Sequence, residues 1–229
     1  MIDIHSHILP GMDDGSQSLP ETNQLLQMLQ QQGVRILAAT SHFYGTQDTP
    51  EAFLERREKA LQQLKLLDTD IKILPGAEVA YFDGMSYCQA LYDLRLGDSK
   101  LLLVEMPFVD WTERMIHELC QLPLQVGLTP VLAHVERYRR RNQLPRFEKT
   151  LLAQGVCFQC NAEAFLCLTT RHWALSRLER GEICFLGSDA HNLTTRPPKL
   201  DRAAKVIQKK LGNDVLQEVM KQAQELLFI

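Results

Sequence analysis

The sequence predicts an α/β fold built around a parallel sheet. Short apolar runs alternate along the chain with longer segments of helical periodicity. The apolar runs show no regular polar alternation, which is typical of strands buried on both faces. Strands that alternate with helices predict right-handed crossover connections, in an open sheet or in a closed barrel. The sequence contains no linker, low-complexity block or internal repeat, so we expect one domain over residues 1–229.

The predicted strands are short. The first contains Ile4-His5-Ser6-His7 or ends just before it. The others, separated by helical patterns, cover residues 34–40, 71–74, 101–105, 130–134, 156–159 and 183–186. Because side chains alternate in direction along a strand, we expect His5 and His7 on the same side of the first one.

Capping signals mark where the first two helices begin. Ser18-Leu19-Pro20-Glu21 matches the S-x-x-E capping box with proline in the first turn, and Gly33 ends that helix. Thr49-Pro50-Glu51 begins the second helix, which has mixed charges on its exposed side. Further helices are predicted over residues 111–122, 144–154, 170–180, 200–211 and 214–227.

Composition limits the functional classes. The chain has 45% hydrophobic and 23% charged residues, enough to bury a sizeable core. Its net charge of −3 argues against a general nucleic-acid-binding surface. Neither a secretory signal nor a run of about 20 apolar residues is visible, so we expect a cytoplasmic protein without membrane insertion.

The six cysteines are interpreted as reduced thiols, since nothing in the sequence indicates export. Cys157-Phe158-Gln159-Cys160 matches a CxxC pattern, but no second pair completes a zinc site. Buried strand cysteines are therefore favoured here over a redox or metal role.

Residues of the kinds that bind metal ions recur at the carboxyl ends of the predicted strands. They are His5, His7, His42, Glu78, Glu105, His134, Asp189 and His191, with Asp13 and Asp14 a few residues after the first strand. In parallel α/β folds this end of the sheet carries the active site, because the loops between strands and helices meet there. The pattern therefore predicts a metal site assembled from several strands.

A structural explanation has to be weighed against metal binding. A single histidine at a strand end is more often a hydrogen-bonded structural residue. Five of the seven histidines lie at such ends, however, and buried carboxylates beside them would be costly without cations. The other two, His117 and His172, lie within helical patterns, and we expect them to be structural or exposed.

The ligand types narrow the choice of metal. Histidines and carboxylates without cysteine favour Mn, Fe, Zn or Mg over a structural zinc held by thiolates. The set is too large for one catalytic ion, which usually has three or four protein ligands. Two or three ions that share carboxylates fit better, and such clusters are typical of phosphate-ester hydrolysis. Two other phosphate-handling motifs, Cys-x5-Arg and GxxxxGK[ST], are absent from the sequence.

Several segments together carry a resemblance to a known family: Ile4-His5-Ser6-His7, Ser41-His42, the segment around Glu78, His134-Val135-Glu136-Arg137-Tyr138 and Ser188-Asp189-Ala190-His191-Asn192. In this order they resemble the PHP superfamily, named for polymerase and histidinol phosphatase. The DDG segment at Asp13, the VEMPF segment at Glu105 and HNLTTRPPK after Asp189 look more narrowly like its CpsB-like branch. That branch comprises manganese-dependent bacterial tyrosine phosphatases of capsule and exopolysaccharide loci. The resemblance extends over residues 2–199.

The resemblance implies a distorted, seven-stranded (βα) barrel of the TIM-like PHP type, with up to three bound ions and Mn²⁺ as the expected metal. The implied ligands are His5, His7, Glu78 and Asp189 for one ion, Asp14, His42 and His191 for a second, and Glu78, Glu105 and His134 for a third. Glu78 would bridge two of the ions. For Asp13, metal binding and stabilisation of the turn at Gly15 are both open.

The resemblance also implies that Arg137 and Arg196 face the phosphoryl group. A guanidinium suits this role because it stays charged and its N–H groups match the geometry of phosphate oxygens. The alternative role for each arginine is a surface ion pair. Phe108 and Trp111 could frame the site or pack in the core. The basic run at residues 139–141 could attract an acidic phosphorylated tail or form a solvated loop.

The implied activity is hydrolysis of phosphotyrosine on a protein, by attack of hydroxide generated at the ions. The implied partner is the tail of the tyrosine autokinase that regulates polysaccharide synthesis. A small-molecule phosphatase acting on histidinol phosphate is the main alternative. A phosphodiesterase or nuclease is disfavoured by the acidic charge balance, and a binding module without catalysis is weaker still because every expected ligand position is occupied. The oligomeric state stays open.

Overall fold

Parallel strands form the centre of the protein. The computed structural model describes residues 1–139 and 143–228. In that part of the chain the strands are β1 (Ile2–Asp3), β2 (Ile36–Ala39), β3 (His42–Tyr44), β4 (Lys72–Pro75), β5 (Glu78–Ala80), β6 (Leu101–Glu105), β7 (Thr129–Leu132), β8 (Cys157–Asn161) and β9 (Phe185–Gly187). All of their pairings are parallel. One sheet has the order β1-β2-β4 and the other β3-β5-β6-β7-β8-β9, so the predicted parallel α/β fold is confirmed.

Helices connect the strands. They are α1 (Leu19–Gln31), α2 (Pro50–Leu64), α3 (Glu113–Gln125), α4 (Glu136–Arg139), α5 (Gln143–Ala153), α6 (Ala162–Leu166), α7 (Leu168–Glu179), α8 (Leu200–Leu211) and α9 (Asn213–Leu227), with 3₁₀ segments at Met85–Tyr87 and Gln89–Leu94. Each predicted helix is present within a few residues of its predicted bounds. The short α4 and α6 and the 3₁₀ segments were not predicted, because one or two turns are too short to show a period.

The two predicted helix starts are confirmed. The Ser18 hydroxyl accepts a hydrogen bond from Glu21 N, and the Thr49 hydroxyl accepts one from Ala52 N. The Glu21 carboxylate, however, accepts from Gln17 N at 2.9 Å, one residue before the position that the capping box predicts. Gly33 follows α1 with a φ of +85°, a backbone conformation that glycine adopts without strain.

Two of the predicted strands are each followed, next to the site, by a short strand that was not predicted. β2 ends at Ala39 and β3 begins at His42, while β4 ends at Pro75 and β5 begins at Glu78. Glu78 therefore lies just beyond β4, as predicted, and it is also the first residue of β5. Gly76 lies in the second break and is closely packed, since a Cβ on it would lie 2.7 Å from Leu96 Cδ2. The register then pairs His42 directly with Glu78.

Backbone hydrogen bonds hold the segment after β1 against the segment that follows β9. His7 N donates to Ala190 O at 2.8 Å, and Asp189 N donates to His5 O at 2.8 Å. Just before these residues, Ile4 N donates to Leu186 O of β9 at 3.3 Å. The histidines near the amino terminus therefore lie beside Asp189, although almost the whole chain separates them in sequence.

Apolar side chains fill the space on both sides of the strands. The larger cluster lies between strands and helices and includes Leu25, Phe53 and Leu102. A smaller cluster takes side chains from strands of both sheets and from α9, including Leu103, Phe185 and Leu227. These clusters fix the strands, so the polar side chains at the carboxyl ends of the strands are held in a rigid frame.

The cysteines of β8 and the two helical histidines have the positions that the sequence predicts. Cys157 and Cys160 are buried in β8, as the sequence predicts, and all six cysteines are free thiols. His117 and His172 are exposed on α3 and α7. Among the helices of the described residues, none has the length and apolar character needed to cross a membrane.

Candidate metal centre

The structure brings together every residue that the sequence predicts as a metal ligand. Their side chains form three overlapping groups whose possible ligand atoms lie within 4.8 Å of one another: first His5, His7 and Asp189; second His7, Asp14, His42 and His191; and third His42, Glu78 and Glu105. The remaining residue, His134, joins the third group through its Nε2 atom, which lies 3.1 Å from Glu78 Oε1. The candidate ligands thus converge on one site, from the loops that follow β1, β7 and β9 and from the starts of β3 and β5.

The first group surrounds a fully buried carboxylate oxygen. Glu78 Oε2 lies 3.2 Å from His5 Nε2 and 3.3 Å from His7 Nε2. Asp189 Oδ1 lies 3.6 Å from each of the same two nitrogens. Four potential ligand atoms therefore face one another, as the resemblance implies for the first ion.

The second group lies toward solvent. Asp14 Oδ1 is 3.6 Å from His42 Nε2 and 3.4 Å from His191 Nε2. The ring centroids of His7 and His191 are only 3.8 Å apart, so His7 lies between this group and the first. Asp14 is exposed whereas the histidines are mostly buried, which leaves the Asp14 side of the site open.

The third group joins Glu78 to β6. His134 Nε2 lies 3.1 Å from Glu78 Oε1 and 3.2 Å from Glu105 Oε1. His134 has a φ of +32°, which is uncommon for a residue with a side chain. Glu78 therefore faces the first group with one oxygen and the third group with the other, as a bridging carboxylate would.

These side chains fit a cluster of cations. His42 Nδ1 and His191 Nε2 are buried and have no hydrogen-bond partner among the described residues. His42 Nδ1 lies 3.0 Å from Glu78 Oε2, but not in hydrogen-bond geometry. Buried nitrogen atoms rarely stay unsatisfied, and a cation between such a nitrogen and a carboxylate satisfies both. The mixture of imidazole and carboxylate is suitable for Mn, Fe or Zn.

The electrostatics keep the carboxylates ionised. Burial raises the pKa of Glu78, but the neighbouring His5, together with the hydrogen bond from His134, lowers it well below its usual value. Burial likewise raises the pKa of Asp189, and His5 and Arg137 outweigh it, so this pKa also lies far below the usual range. Both groups are therefore available as anionic ligands at neutral pH.

The histidines differ in their protonation. Burial lowers the pKa of His7, but hydrogen bonds to Asp13 and Glu78 raise it to about 10. The pKa of His134 is raised to about 9 by Glu105 and Glu78, again against the effect of burial. Burial and the charge of His7 lower the pKa of His191 to about 4. At neutral pH the metal-free site thus holds protons on some of the nitrogens that an ion would need.

Asp13, whose role the sequence leaves open, lies behind the ligands. Its Oδ2 accepts hydrogen bonds from His7 Nδ1 at 2.7 Å and from His42 N at 2.8 Å. Its Oδ1 accepts from Gly15 N at 2.9 Å, so the predicted turn contact is also present. A carboxylate on Nδ1 orients a histidine so that Nε2 faces a metal. Asp13 therefore supports the His7 ring and the turn together.

Both predicted arginines contact the centre. The Arg137 guanidinium is in close contact with Asp189 Oδ2, and Arg196 Nη2 lies 2.8 Å from the same oxygen. Arg196 Nη1 is also 3.7 Å from Asp14 Oδ2. Each side chain is about one-third exposed. The structure thus places two fixed positive charges at the open side of the site rather than in remote surface ion pairs.

A cavity of about 490 Å³ opens beside Arg137. Its walls are Phe108, Glu136, Arg137, Asn161, Glu163, Ala164, Cys167 and Thr170. The Phe108 ring is 37% exposed and lies parallel to the His134 ring, with centroids 6.0 Å apart. Trp111 is 2% exposed and packs edge-on against Tyr138, so it belongs to the core and does not frame the site.

The basic run near the site is described only in part. Arg139 donates to Thr169 O at 2.9 Å, and its guanidinium lies 6.0 Å from the centre of the Trp173 ring. Arg140 and Arg141 lie outside the described residues.

Sequence reasoning missed two residues of the centre, Gln159 and Asn161. Both are buried polar side chains on β8, behind His5, His134 and Asp189. Their signal was a pair of amides in the otherwise apolar strand CFQCN, which was interpreted only for its cysteines.

Known proteins resemble this chain along nearly its whole length. Residues 1–228 match the family described as capsular polysaccharide synthesis, CpsB/CapC. The tyrosine-protein phosphatase CpsB of Streptococcus pneumoniae is 35% identical over 229 aligned positions, 93% of this chain and 91% of that protein.

Solved structures give the same result. One match has a TM-score of 0.86 and 30% identity. It comes from crystal structures of YwqE of Bacillus subtilis and CpsB of Streptococcus pneumoniae, which are described as unique metal-dependent tyrosine phosphatases. It covers 99% of this chain and 94% of the other. The inactive dihydroorotase-like domain of a CAD-like protein from Chaetomium thermophilum shares the fold alone, with a TM-score of 0.59, 10% identity and coverage of 98% and 79%. Because the family match covers residues 1–228, the chain belongs to the CpsB/CapC family.

Proposed function

We propose that this protein is a metal-dependent phosphatase that hydrolyses phosphotyrosine on a protein. The observation that carries the proposal is the convergence of imidazole and carboxylate ligands beside two arginines. Relatives with 30% to 35% identity, CpsB of Streptococcus pneumoniae and YwqE of Bacillus subtilis, are named tyrosine-protein phosphatases.

The proposed metal is Mn²⁺, with up to three ions. The proposed ligand sets are His5, His7, Glu78 and Asp189; Asp14, His42 and His191; and Glu78, Glu105 and His134. The distances between ligand atoms within each set, from 3.1 to 3.6 Å, support this division. Such a cluster, when bound, activates water near neutral pH and offsets the charge of the phosphoryl oxygens.

The protein's own residues bind and orient the phosphoryl group. Arg137 and Arg196 are rigidly placed by their contacts with Asp189, and a guanidinium fork donates two hydrogen bonds to phosphate oxygens. Because negative charge builds on these oxygens in the transition state, the two arginines stabilise that state more than the bound substrate. The buried His5, Glu78 and His134 exclude bulk water from the floor of the site.

The cavity beside Arg137 supports an aromatic phosphate ester as the substrate. A phosphoryl group held by Arg137 would place the tyrosine ring against the Phe108 face, in a space of about 490 Å³. The cavity is open to solvent, so the rest of a protein chain can continue outward. Histidinol phosphate remains the alternative substrate, because the same ligands serve small-molecule phosphatases of the PHP type.

The fold proposed with this function is a distorted seven-stranded barrel in a single domain. β2 with β3 and β4 with β5 would each count as one interrupted strand, giving seven strands in total. The hydrogen bonds of Ile4 and His7 to Leu186 and Ala190 support closure between the first and last strands.

The proposed partner is the phosphorylated tail of the tyrosine kinase that regulates polysaccharide synthesis, in the cytoplasm. The family description, capsular polysaccharide synthesis, supports the pathway. Six free cysteines are consistent with a reducing compartment.

A metal-replacement assay tests the proposed function. The metal-stripped protein is assayed with added Mn²⁺ on a phosphotyrosine peptide, a phosphoserine peptide and histidinol phosphate. We expect Mn²⁺-dependent turnover that is fastest with phosphotyrosine and is lost in His5→Ala. Faster turnover of histidinol phosphate would overturn the assignment of the substrate while retaining the metal centre. No turnover of any substrate, despite bound Mn²⁺, would overturn the phosphatase assignment.

A further inference from the structure

Gln159 has a fully buried side-chain amide behind the site, and the polar contacts that this amide makes with described residues are to His5, His134 and Asn161. Its Oε1 accepts a hydrogen bond from His134 N at 2.7 Å and lies 3.1 Å from His5 Nδ1. Its Nε2 donates to Asn161 Oδ1 at 2.8 Å. Asn161 Nδ2 in turn donates to Asp189 Oδ2 at 2.9 Å. These bonds form one continuous chain from His134 and His5 to Asp189.

The two ends of this chain fix the direction of both amides. The backbone N–H of His134 can only donate, so the Gln159 atom that faces it must be the oxygen. The ionised Asp189 carboxylate can only accept, so the Asn161 atom that faces it must be the NH₂ group. With these two orientations, the Gln159 NH₂ meets the Asn161 oxygen, and every contact joins a donor to an acceptor. Reversing either amide would place like groups in contact.

We propose that Gln159 is a positioning residue that fixes the tautomer of His5 and couples the two buried groups of metal ligands. Because Gln159 Oε1 accepts, the neutral His5 ring carries its proton on Nδ1 and keeps the lone pair of Nε2 for a metal ion. His5 Nε2 is the atom that lies 3.2 Å from Glu78 Oε2. This inference rests on the proposed metal site and extends it to residues outside the ligand sets.

The Gln159 amide also holds two other proposed ligands, Asp189 and His134. Through Asn161 it holds Asp189 by Oδ2, which leaves Oδ1 to face His5 and His7. Its hydrogen bond from His134 N also holds the backbone of His134, whose φ of +32° is an unfavourable conformation. That conformation is the one in which the His134 side chain reaches Glu78. One side chain on β8 therefore supports ligands of both the first and the third proposed ion.

Gly187 on the neighbouring strand gives independent support. A Cβ atom on this residue would lie 2.5 Å from Gln159 Nε2 and 2.7 Å from His5 Cβ. Both distances are shorter than real Cβ atoms show, and the backbone of Gly187 is not in the left-handed region. Glycine therefore fits here because the Gln159 amide and His5 Cβ already occupy the space that a side chain would need.

The test is Mn²⁺ binding to the metal-stripped protein, measured by calorimetry, with bound ions counted by electron paramagnetic resonance. Gln159→Met keeps the length of the side chain and removes both hydrogen-bonding functions. Asn161→Leu removes only the arm that reaches Asp189. Cys157→Ala, on the same strand but in the apolar cluster, is the control. We expect about 10- to 100-fold weaker Mn²⁺ binding in the two amide variants and no change in the control.

A double-mutant cycle separates positioning from general stability. If the two amides act as one chain, the Mn²⁺ affinity lost in the double variant is smaller than the sum of the single losses on a free-energy scale. A merely structural role would lower the melting temperature of the metal-free protein and leave the affinity of the folded protein unchanged, which would overturn the inference. Additive losses would overturn the coupling. If Gln159→Met does not fold, Asn161→Leu alone decides, and unchanged Mn²⁺ binding in it overturns the proposal. Failure of the wild type to bind Mn²⁺ would instead overturn the proposed function.

Discussion

Glu78 and His42 are direct partners in the register of β5 and β3, and Glu78 Oε2 lies 3.0 Å from His42 Nδ1 without forming a hydrogen bond with it. The other oxygen of Glu78 reaches His134 Nε2 at 3.1 Å. Glu78 is 1% exposed, so water and dissolved counterions do not offset the charge of its carboxylate. Such a group needs positive charge close by, and the proposed ions next to its two oxygens would supply it.

Glu78→Gln should remove the shared ligand. The amide keeps the shape of the side chain but carries no charge, so we expect at least one ion fewer per chain and a loss of activity beyond the roughly 10- to 100-fold typical of residues that only support a ligand. Metal content by mass spectrometry and turnover of a phosphotyrosine peptide measure both effects. Glu118→Gln is the matched control, a buried glutamate that accepts from Gly84 N away from the centre. Full metal content in Glu78→Gln would contradict the bridging role.

Arg137→Ala should separate phosphate binding from metal binding. We expect kcat/KM for a phosphotyrosine peptide to fall by about 10²- to 10³-fold, as for loss of one donor to a charged transition state. Mn²⁺ affinity should be retained, because removal of a cation from Asp189 does not weaken its attraction for a metal ion. Arg139→Ala, two residues further along α4, should behave as the wild type. A parallel loss of Mn²⁺ binding in Arg137→Ala would show that Arg137 supports the metal centre instead.

Phe108→Ala tests the proposed ring-binding face. We expect KM for a phosphotyrosine peptide to rise by about 3- to 10-fold, the range that an aromatic contact supplies. Turnover of a small alkyl phosphate, which lacks a ring, should be unaffected. Steady-state kinetics on both substrates, with Val109→Ala as the neighbouring exposed control, make the comparison. Equal losses on the two substrates would argue against ring recognition.

Metal binding should release protons at neutral pH. The pKa values of His7 and His134 are raised to about 10 and about 9, so both rings are protonated in the metal-free protein at pH 7. A metal needs the lone pair of each ring, so we expect release of up to two protons and an Mn²⁺ affinity that rises with pH up to about 10. Calorimetry in two buffers with different heats of ionisation counts the protons. A binding heat that does not depend on the buffer would contradict the expectation.

The same shifts give the sign of the pH effect on the metal-free protein. A histidine whose pKa is higher in the folded state than its usual value of about 6.5 stabilises the fold fully below that value. The contribution is lost as the pH rises through about 9 to 10. Thermal melts of the metal-free protein between pH 6 and pH 10 should therefore show falling stability, which added Mn²⁺ opposes.

Most of the fold and the candidate ligands were predictable because their signals are local. The apolar run of β6 and the caps at Ser18 and Thr49 each depend on a few neighbouring residues. His5 and Asp189 were identified because ligand-type residues at strand ends meet at one edge of a parallel sheet.

The parts that the sequence did not reveal depend on tertiary contacts. The breaks before His42 and Glu78 involve contacts between distant segments, such as the hydrogen bond from Glu78 N to Ser41 O at 3.1 Å, which no local pattern shows. Gln159 and Asn161 were missed because two amides in an apolar strand do not indicate a role until their partners are known. Phe108 and Trp111 look equivalent in sequence, and only the packing of Trp111 on Tyr138 separates the core residue from the one that faces the cavity.

The most direct test of the metal centre is anomalous diffraction from crystals of the protein grown with Mn²⁺, recorded at the manganese absorption edge. We expect up to three peaks, with Glu78 between two of them and Asp189, His42 and His134 each next to one. Such peaks would confirm the proposed ligand sets. The absence of any peak within about 3 Å of Glu78, at an Mn²⁺ concentration that supports turnover, would contradict the account.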